Sequence, residues 1–225
     1  MSHPEAAAAT PAQPSPRLRP DKHAAIMAGG RAVFARDGYA RASIDAIATA
    51  SRVSTRTIYK HFADKTALFA AVLINSATQV AAAETALVER HLSTVATAEG
   101  VEPALRAFAT EWLNDAGDWL IGMPDSAAHR ALVAQVRAEA GHLGTEVVST
   151  WWQAGAGRVR VELAEVFARW AERGFLSITD PDRAAVHFSR LVSATPGAPA
   201  SPITPEERAG WITDGVALFV RGYKP

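Results

Sequence analysis

Cysteine is absent from the 225-residue chain, which excludes disulfides, thiolate chemistry and Cys-based zinc or iron–sulfur sites, and fits a reducing compartment. Its seven histidines are scattered and none forms H-x-x-x-H or H-E-x-x-H, so no metal is expected. No apolar run reaches eighteen residues, so the reading is a soluble, cytoplasmic protein with no membrane partner. Catalytic signatures are missing too. There is no G-x-S-x-G and no Walker loop, and Gly155-Ala156-Gly157 lacks the third glycine and the preceding strand of a dinucleotide fingerprint. Asp115 and Asp118 read as a solvated helix face rather than an acid/base pair. Neither an enzyme nor a cofactor is therefore expected. No region alternates as strands do, and the whole chain reads as all-α.

The formal net charge is zero, which at first argues against nucleic acid, but the charge is unevenly divided. Residues 1–65 carry ten Lys/Arg against five Asp/Glu, net +5, and residues 66–225 carry thirteen against eighteen, net −5. A basic lobe on an acidic body suits a protein that meets phosphate at one end.

Within the basic lobe, Ser43 to Lys65 (SIDAIATASRVSTRTIYKHFADK) spells two short helices joined by a tight turn. Ser43 is a capping residue, and Ile44, Ile47 and Ala48 at i, i+3 and i+4 form an inner face. Ser54 caps the second helix, in which Val53, Ile58 and Phe62 return to the same core. Thr55, Arg56, Thr57, Tyr59 and Lys60 remain outward. Hydroxyls, a guanidinium, a phenol and an ammonium can reach base edges and phosphates from a major groove. The same pattern also describes an amphipathic helix with a wet basic face in any all-α protein.

This string, followed by A-D-K-T-A-L-F, resembles the N-terminal domain of the TetR family of bacterial repressors from about Lys22 to Phe69. The likeness includes Phe34, Gly38-Tyr39 and His61-Phe62. It implies a three-helix helix-turn-helix head in which Thr55, Arg56, Thr57, Tyr59, Lys60 and His61 contact DNA. It also implies phosphate clamps at Ser43 and Lys65, at helix N-termini. Relatives usually carry Gly in the turn, where this chain has Ser51-Arg52-Val53. A left-handed Arg52 costs on the order of 1 kcal/mol relative to Gly, and a phosphate contact from its guanidinium would offset that. Arg52 and the capping Ser54 complete the expected DNA-binding set.

Three segments are expected: a disordered tail at 1–20, a helix-turn-helix domain at 21–67, and a ligand-binding and dimerisation domain at 68–225. The tail lacks a signal peptide's apolar core. Gly29-Gly30 weakens the first helix unless close packing needs the room. A helix from Asp64 toward Arg90 links head to body. The body resembles the AefR-like branch of TetR C-terminal domains over roughly Leu105–Tyr223. That likeness rests on Glu139-Ala140-Gly141, the aromatic pair before Ala154-Gly155, and Arg173-Gly174 before Leu176-Ser177-Ile178. It implies a helical bundle that forms a homodimer through its last two helices, with Phe188, Leu191, Ile212, Val216, Phe219 and Val220 as the interface. The stripe Ile212, Val216, Phe219 and Val220 can equally finish the protomer's own core.

Five of the six tryptophans precede Ile178. Phe108, Trp112, Trp119, Met123, His129, Trp151, Trp152, Phe167 and Trp170 are the candidate walls of an apolar ligand cavity. Aromatics at helical spacing are also ordinary core. The function that follows is a transcriptional regulator, released from palindromic double-stranded DNA by a small apolar or amphipathic ligand. A ligand-binding enzyme of the helical body and a non-specific DNA-coating protein remain as alternatives.

Overall fold

The computed structural model describes residues 19–117, 126–193 and 204–225. Among these residues ten α-helices and one 3-10 turn follow one another in the order α1 (Arg19–Arg41), α2 (Ile44–Ser51), α3 (Thr55–His61), α4 (Lys65–Leu92), the turn Ala98–Gly100, α5 (Val101–Gly117), α6 (Ser126–Leu143), α7 (Thr145–Ala154), α8 (Ala156–Glu172), α9 (Pro181–Ser193) and α10 (Pro205–Gly222). No strand occurs among the described residues.

Of the expected tail, residues 1–18 lie outside the described residues, while Arg19 and Pro20 already belong to α1. Proline, which has no backbone N–H, is tolerated there because a first-turn N–H would have no intrahelical acceptor. The expected stop at Gly38 is a break within α1, where φ 80° and ψ 160° leave the helical region before one more turn reaches Arg41. The Gly29-Gly30 pair is explained by packing. A Cβ on Gly29 would lie 2.9 Å from the backbone nitrogen of Ser51, and one on Gly30 would lie 3.2 Å from Val72 Cγ2.

Polar caps fix the helix starts. Ser43, Ser54, Asp64 and Thr204 each accept a first-turn backbone N–H, from Ala46, Thr57, Ala67 and Glu207 respectively. Thr204 and Glu207 form a reciprocal capping box.

Two apolar cores result. One joins Ile26, Val33 and Phe34 of α1 to Ile47, Ile58, Phe62, Leu68, Phe69 and Val72, and is completed by Leu132, Val136 and Leu143 of α6. The other gathers α5, α8, α9 and α10 around Phe108, Phe167, Phe188 and Phe219. Helix α4 serves both, giving Leu68–Leu73 to the first and Ala81, Val88 and Leu92 to the second. The expected boundary at residue 67 thus falls in its first turn. By length and composition α4 is the one described helix able to cross a membrane. Asn75, Ser76, Thr78 and Gln79 interrupt its sequence, and it lies against α1, α5, α7 and α8.

Candidate nucleic-acid interface and helical body

Helix α3 is held from beneath by Ile58, fully buried, and Phe62, its C-cap. The opposite face carries exposed Arg56, Tyr59, Lys60 and His61, with Thr55 and Thr57 half-buried at its edge. Tyr59 is 56 % exposed, unusual for so large a ring. Ser54 Oγ accepts the Thr57 N–H at 3.2 Å and lies 2.9 Å from Thr57 Oγ1, and Ser43 Oγ accepts the Ala46 N–H at 3.1 Å. Both serines therefore fix helix starts while lying exposed. Arg52 adopts the left-handed conformation, φ 54° and ψ 40°, and is the sole non-glycine residue with positive φ among the described residues. Its backbone N–H closes α2 onto Ala48 and Thr49 while its side chain is exposed.

Lys65, expected as a phosphate clamp, is engaged within the head: its ammonium donates to the carbonyls of Tyr39 at 3.0 Å, Ala40 at 3.4 Å and Ala42 at 3.1 Å, and sits 4.6 Å from the centre of the Tyr39 ring. A cation at these orphan carbonyls suits the negative end of α1 and fastens α4 to it.

Of the expected dimer set, Phe188, Ile212, Val216 and Phe219 are buried within the protomer, where that stripe packs in the body core. Leu191 and Val220 are half-buried against it. The outward apolar residues of α10 are instead Trp211 and Leu218, the latter 57 % exposed. Helices α9 and α10 approach so closely that a Cβ on Gly215 would lie 2.6 Å from the Leu191 carbonyl oxygen.

Of the nine expected cavity residues, the seven described ones are divided between the two cores, the surface and the start of α6. Phe108, Trp112, Phe167 and Trp170 are buried in the body core. Trp151 packs on the head core and Trp152 is 45 % exposed. Trp119 and Met123 lie outside the described residues. His129, half-buried at the start of α6, has Nδ1 2.8 Å from the Oγ of buried Ser76 on α4. An open groove of about 810 Å³ runs along α5 past Glu102, Arg106 and Thr110, away from these aromatics. Among the described residues no three His, Asp or Glu side chains come together as a metal site.

Two polar residues that the sequence reading overlooked are more informative. Glu84 is buried on α4 and accepts the indole N–H of Trp112 at 2.9 Å; burial raises its carboxyl to about 7. The signal was available, since Ala77, Ala81, Glu84 and Val88 share one helix face and an acid stands among apolar neighbours. Gln135 of α6 reaches into the break in α1. Its Nε2 donates to the Phe34 carbonyl at 2.8 Å and its Oε1 accepts the Tyr39 N–H at 2.8 Å. No periodicity foretells that.

A capped helix-turn-helix with an outward basic α3, seated on a larger helical body, defines a DNA-binding transcriptional regulator. Residues 26–72 match the bacterial regulatory proteins of the tetR family, and residues 111–225 match the AefR-like transcriptional repressor C-terminal domain. The chain belongs to the TetR family. No curated protein matches it in sequence. Among solved structures, a TetR-family transcriptional regulator from Mesorhizobium loti is 22% identical, with TM-score 0.71 over 91% of this chain and 97% of that one. The flavonoid-responsive regulator FrrA is 26% identical, with TM-score 0.63 over 92% and 99%. A transcriptional regulator from Saccharomonospora viridis, solved in complex with choline, is 17% identical, with TM-score 0.60 over 88% and 97%.

Proposed function

We propose that this regulator is a homodimeric repressor that occupies a palindromic operator and leaves it when a small apolar or amphipathic molecule enters the helical body. In this reading residues 21–67 read DNA, and residues 68–225 bind the ligand and dimerise. The observation that carries it is the outward face of α3. Arg56, Tyr59 and Lys60 stand exposed on a helix whose opposite side is buried, and Ser43 and Arg52, in the segment just before it, are exposed as well. Arg56 reads a base edge, and Lys60 and Arg52 neutralise phosphates.

Dimerisation uses the outward face of α10, centred on Trp211 and Leu218, with the α9 edge beside it. A two-fold pair of reading helices fits half-sites about 34–36 Å apart. Response to a small molecule is supported by the flavonoid-responsive FrrA and by the choline complex of the S. viridis protein. The route from body to head is α4, shared by both cores, together with α6, which bonds the α1 break through Gln135. Release requires the ligand to favour the non-operator arrangement by about 1–3 kcal/mol, and DNA must then weaken the ligand equally.

The test is selection of bound fragments from random duplex DNA by the purified full chain. An enriched palindrome is expected. Binding without sequence enrichment at low salt would identify a coating protein instead, and no binding at all would move the function to the body.

A further inference from the structure

Among the described residues Glu84 is a buried acid without a basic partner. Its one hydrogen bond there comes from the neutral indole of Trp112, and no described Lys, Arg or His acts on its carboxyl. One indole N–H leaves most of the carboxylate's acceptor capacity unused. Burying an anion without a countercharge is costly, so such a group is uncommon unless something else pairs with it. The surroundings are aromatic: the Trp112 ring stacks on Phe108 with centroids 5.2 Å apart and planes 27° apart. Beside Glu84 on α4, Thr85 Oγ1 is buried with no hydrogen-bond partner among the described residues. About 12 Å back along α4, given 1.5 Å rise per residue, the Ser76–His129 pair forms a second buried polar spot.

We propose that Glu84 is the recognition residue for a cationic amphipathic ligand, an organic amine whose ammonium pairs with the carboxylate while its apolar part lies along the α4–α5 aromatics. This rests on the ligand-responsive reading of the body. An ammonium supplies both missing features, the countercharge and the additional N–H donors, and aromatic faces favour cations as well. A neutral phenol or alcohol would supply a donor but no charge. A carboxylate ligand would be repelled. Selectivity for the amine therefore belongs to one side chain, and an acid-to-amide change removes it with little change of shape.

The experiment is calorimetric titration of the full chain, without DNA, with three probes sharing one ring system: 1-naphthylmethylamine, 1-naphthylmethanol and 1-naphthylacetate. The wild type is expected to bind the amine at least tenfold more tightly than the alcohol and the acid least. In Glu84→Gln the amine and alcohol should fall within threefold of each other, while Glu84→Asp, which keeps the charge, should retain a preference for the amine. Far-UV circular dichroism checks that each variant is folded. Equal binding of amine and alcohol by the wild type, absence of amine binding, or an amine preference that survives in Glu84→Gln would overturn the proposal. Because DNA is absent from the titration, its failure is separable from failure of the release mechanism. Amine bound through Glu84 with no loss of operator affinity would sink the latter alone.

Discussion

Gln135 and Tyr39 are joined by a 2.8 Å bond from the Tyr39 backbone N–H to the Gln135 side-chain oxygen, while the same amide donates to the Phe34 carbonyl. The break at Gly38 interrupts the helical ladder of α1 near these groups, and one side chain from the body satisfies them. Gln135→Ala should therefore cost about 1–3 kcal/mol of stability, for polar groups left unpaired in a part-buried site. It should also weaken the mutual antagonism of ligand and operator. Denaturant unfolding reads the first effect, and operator titration with and without ligand reads the second. An unchanged coupling would move the signal path to α4 alone.

Arg56, Lys60 and Lys65 should separate into three behaviours. Arg56→Ala should lose about 1–3 kcal/mol of specific binding per half-site and relax sequence preference at one position. Lys60→Ala should weaken all sequences alike and reduce the salt slope by about one counterion per half-site. Lys65→Ala should chiefly lower the unfolding midpoint, because its ammonium holds the Tyr39, Ala40 and Ala42 carbonyls. A Lys65→Ala protein of wild-type stability and reduced salt slope would restore the phosphate role.

Charge at two sites on α10 should have opposite consequences. Trp211→Glu combined with Leu218→Glu should give folded monomers, since both residues face outward. Ile212→Glu should instead unfold the protomer, since an unpaired charge would enter its core. Sedimentation velocity with circular dichroism distinguishes the two, and a dimeric double variant would relocate the interface.

Glu84 predicts a pH dependence. Its carboxyl is raised from 4.5 to about 7 in the folded state, chiefly by burial. The folded protein thus holds a proton that the unfolded chain releases earlier. Stability is fully present below about pH 4.5 and is lost as pH rises through about 7, by roughly 3 kcal/mol in all. Glu84→Gln should remove this loss, so the variant should gain on the wild type between those pH values and hold the gain above them. Parallel stability profiles from pH 5 to 8 would show that the carboxyl does not titrate there.

The head was legible in the sequence because its signals are local. Caps at Ser43, Ser54 and Asp64 and the apolar spacing of Ile47, Ile58 and Phe62 lie within a few turns of one another, and helical phase fixes which side is wet. Phase also put Ile212, Val216 and Phe219 on one stripe, but it cannot say whether that stripe meets its own chain or another. Within the protomer the stripe packs against α5, α8 and α9. The anchoring of Lys65 was not legible, because the carbonyls that hold its ammonium come from the end of α1, distant in sequence. The aromatic residues of the body have the spacing of core, and the buried polar groups of α4, Glu84 and Ser76, are single residues within an apolar helix.

The contribution of α6 to the head bears on how such regulators can be recombined. Leu132, Val136 and Leu143 complete the core beneath α1. A graft of residues 21–67 onto another regulator's body would leave that apolar floor to a foreign helix, even if the splice in α4 were seamless. Interchangeable parts must therefore be cut by contact rather than by sequence order: a transplanted reading head travels intact only when the matching face of α6 travels with it, or when the recipient already presents the same relief.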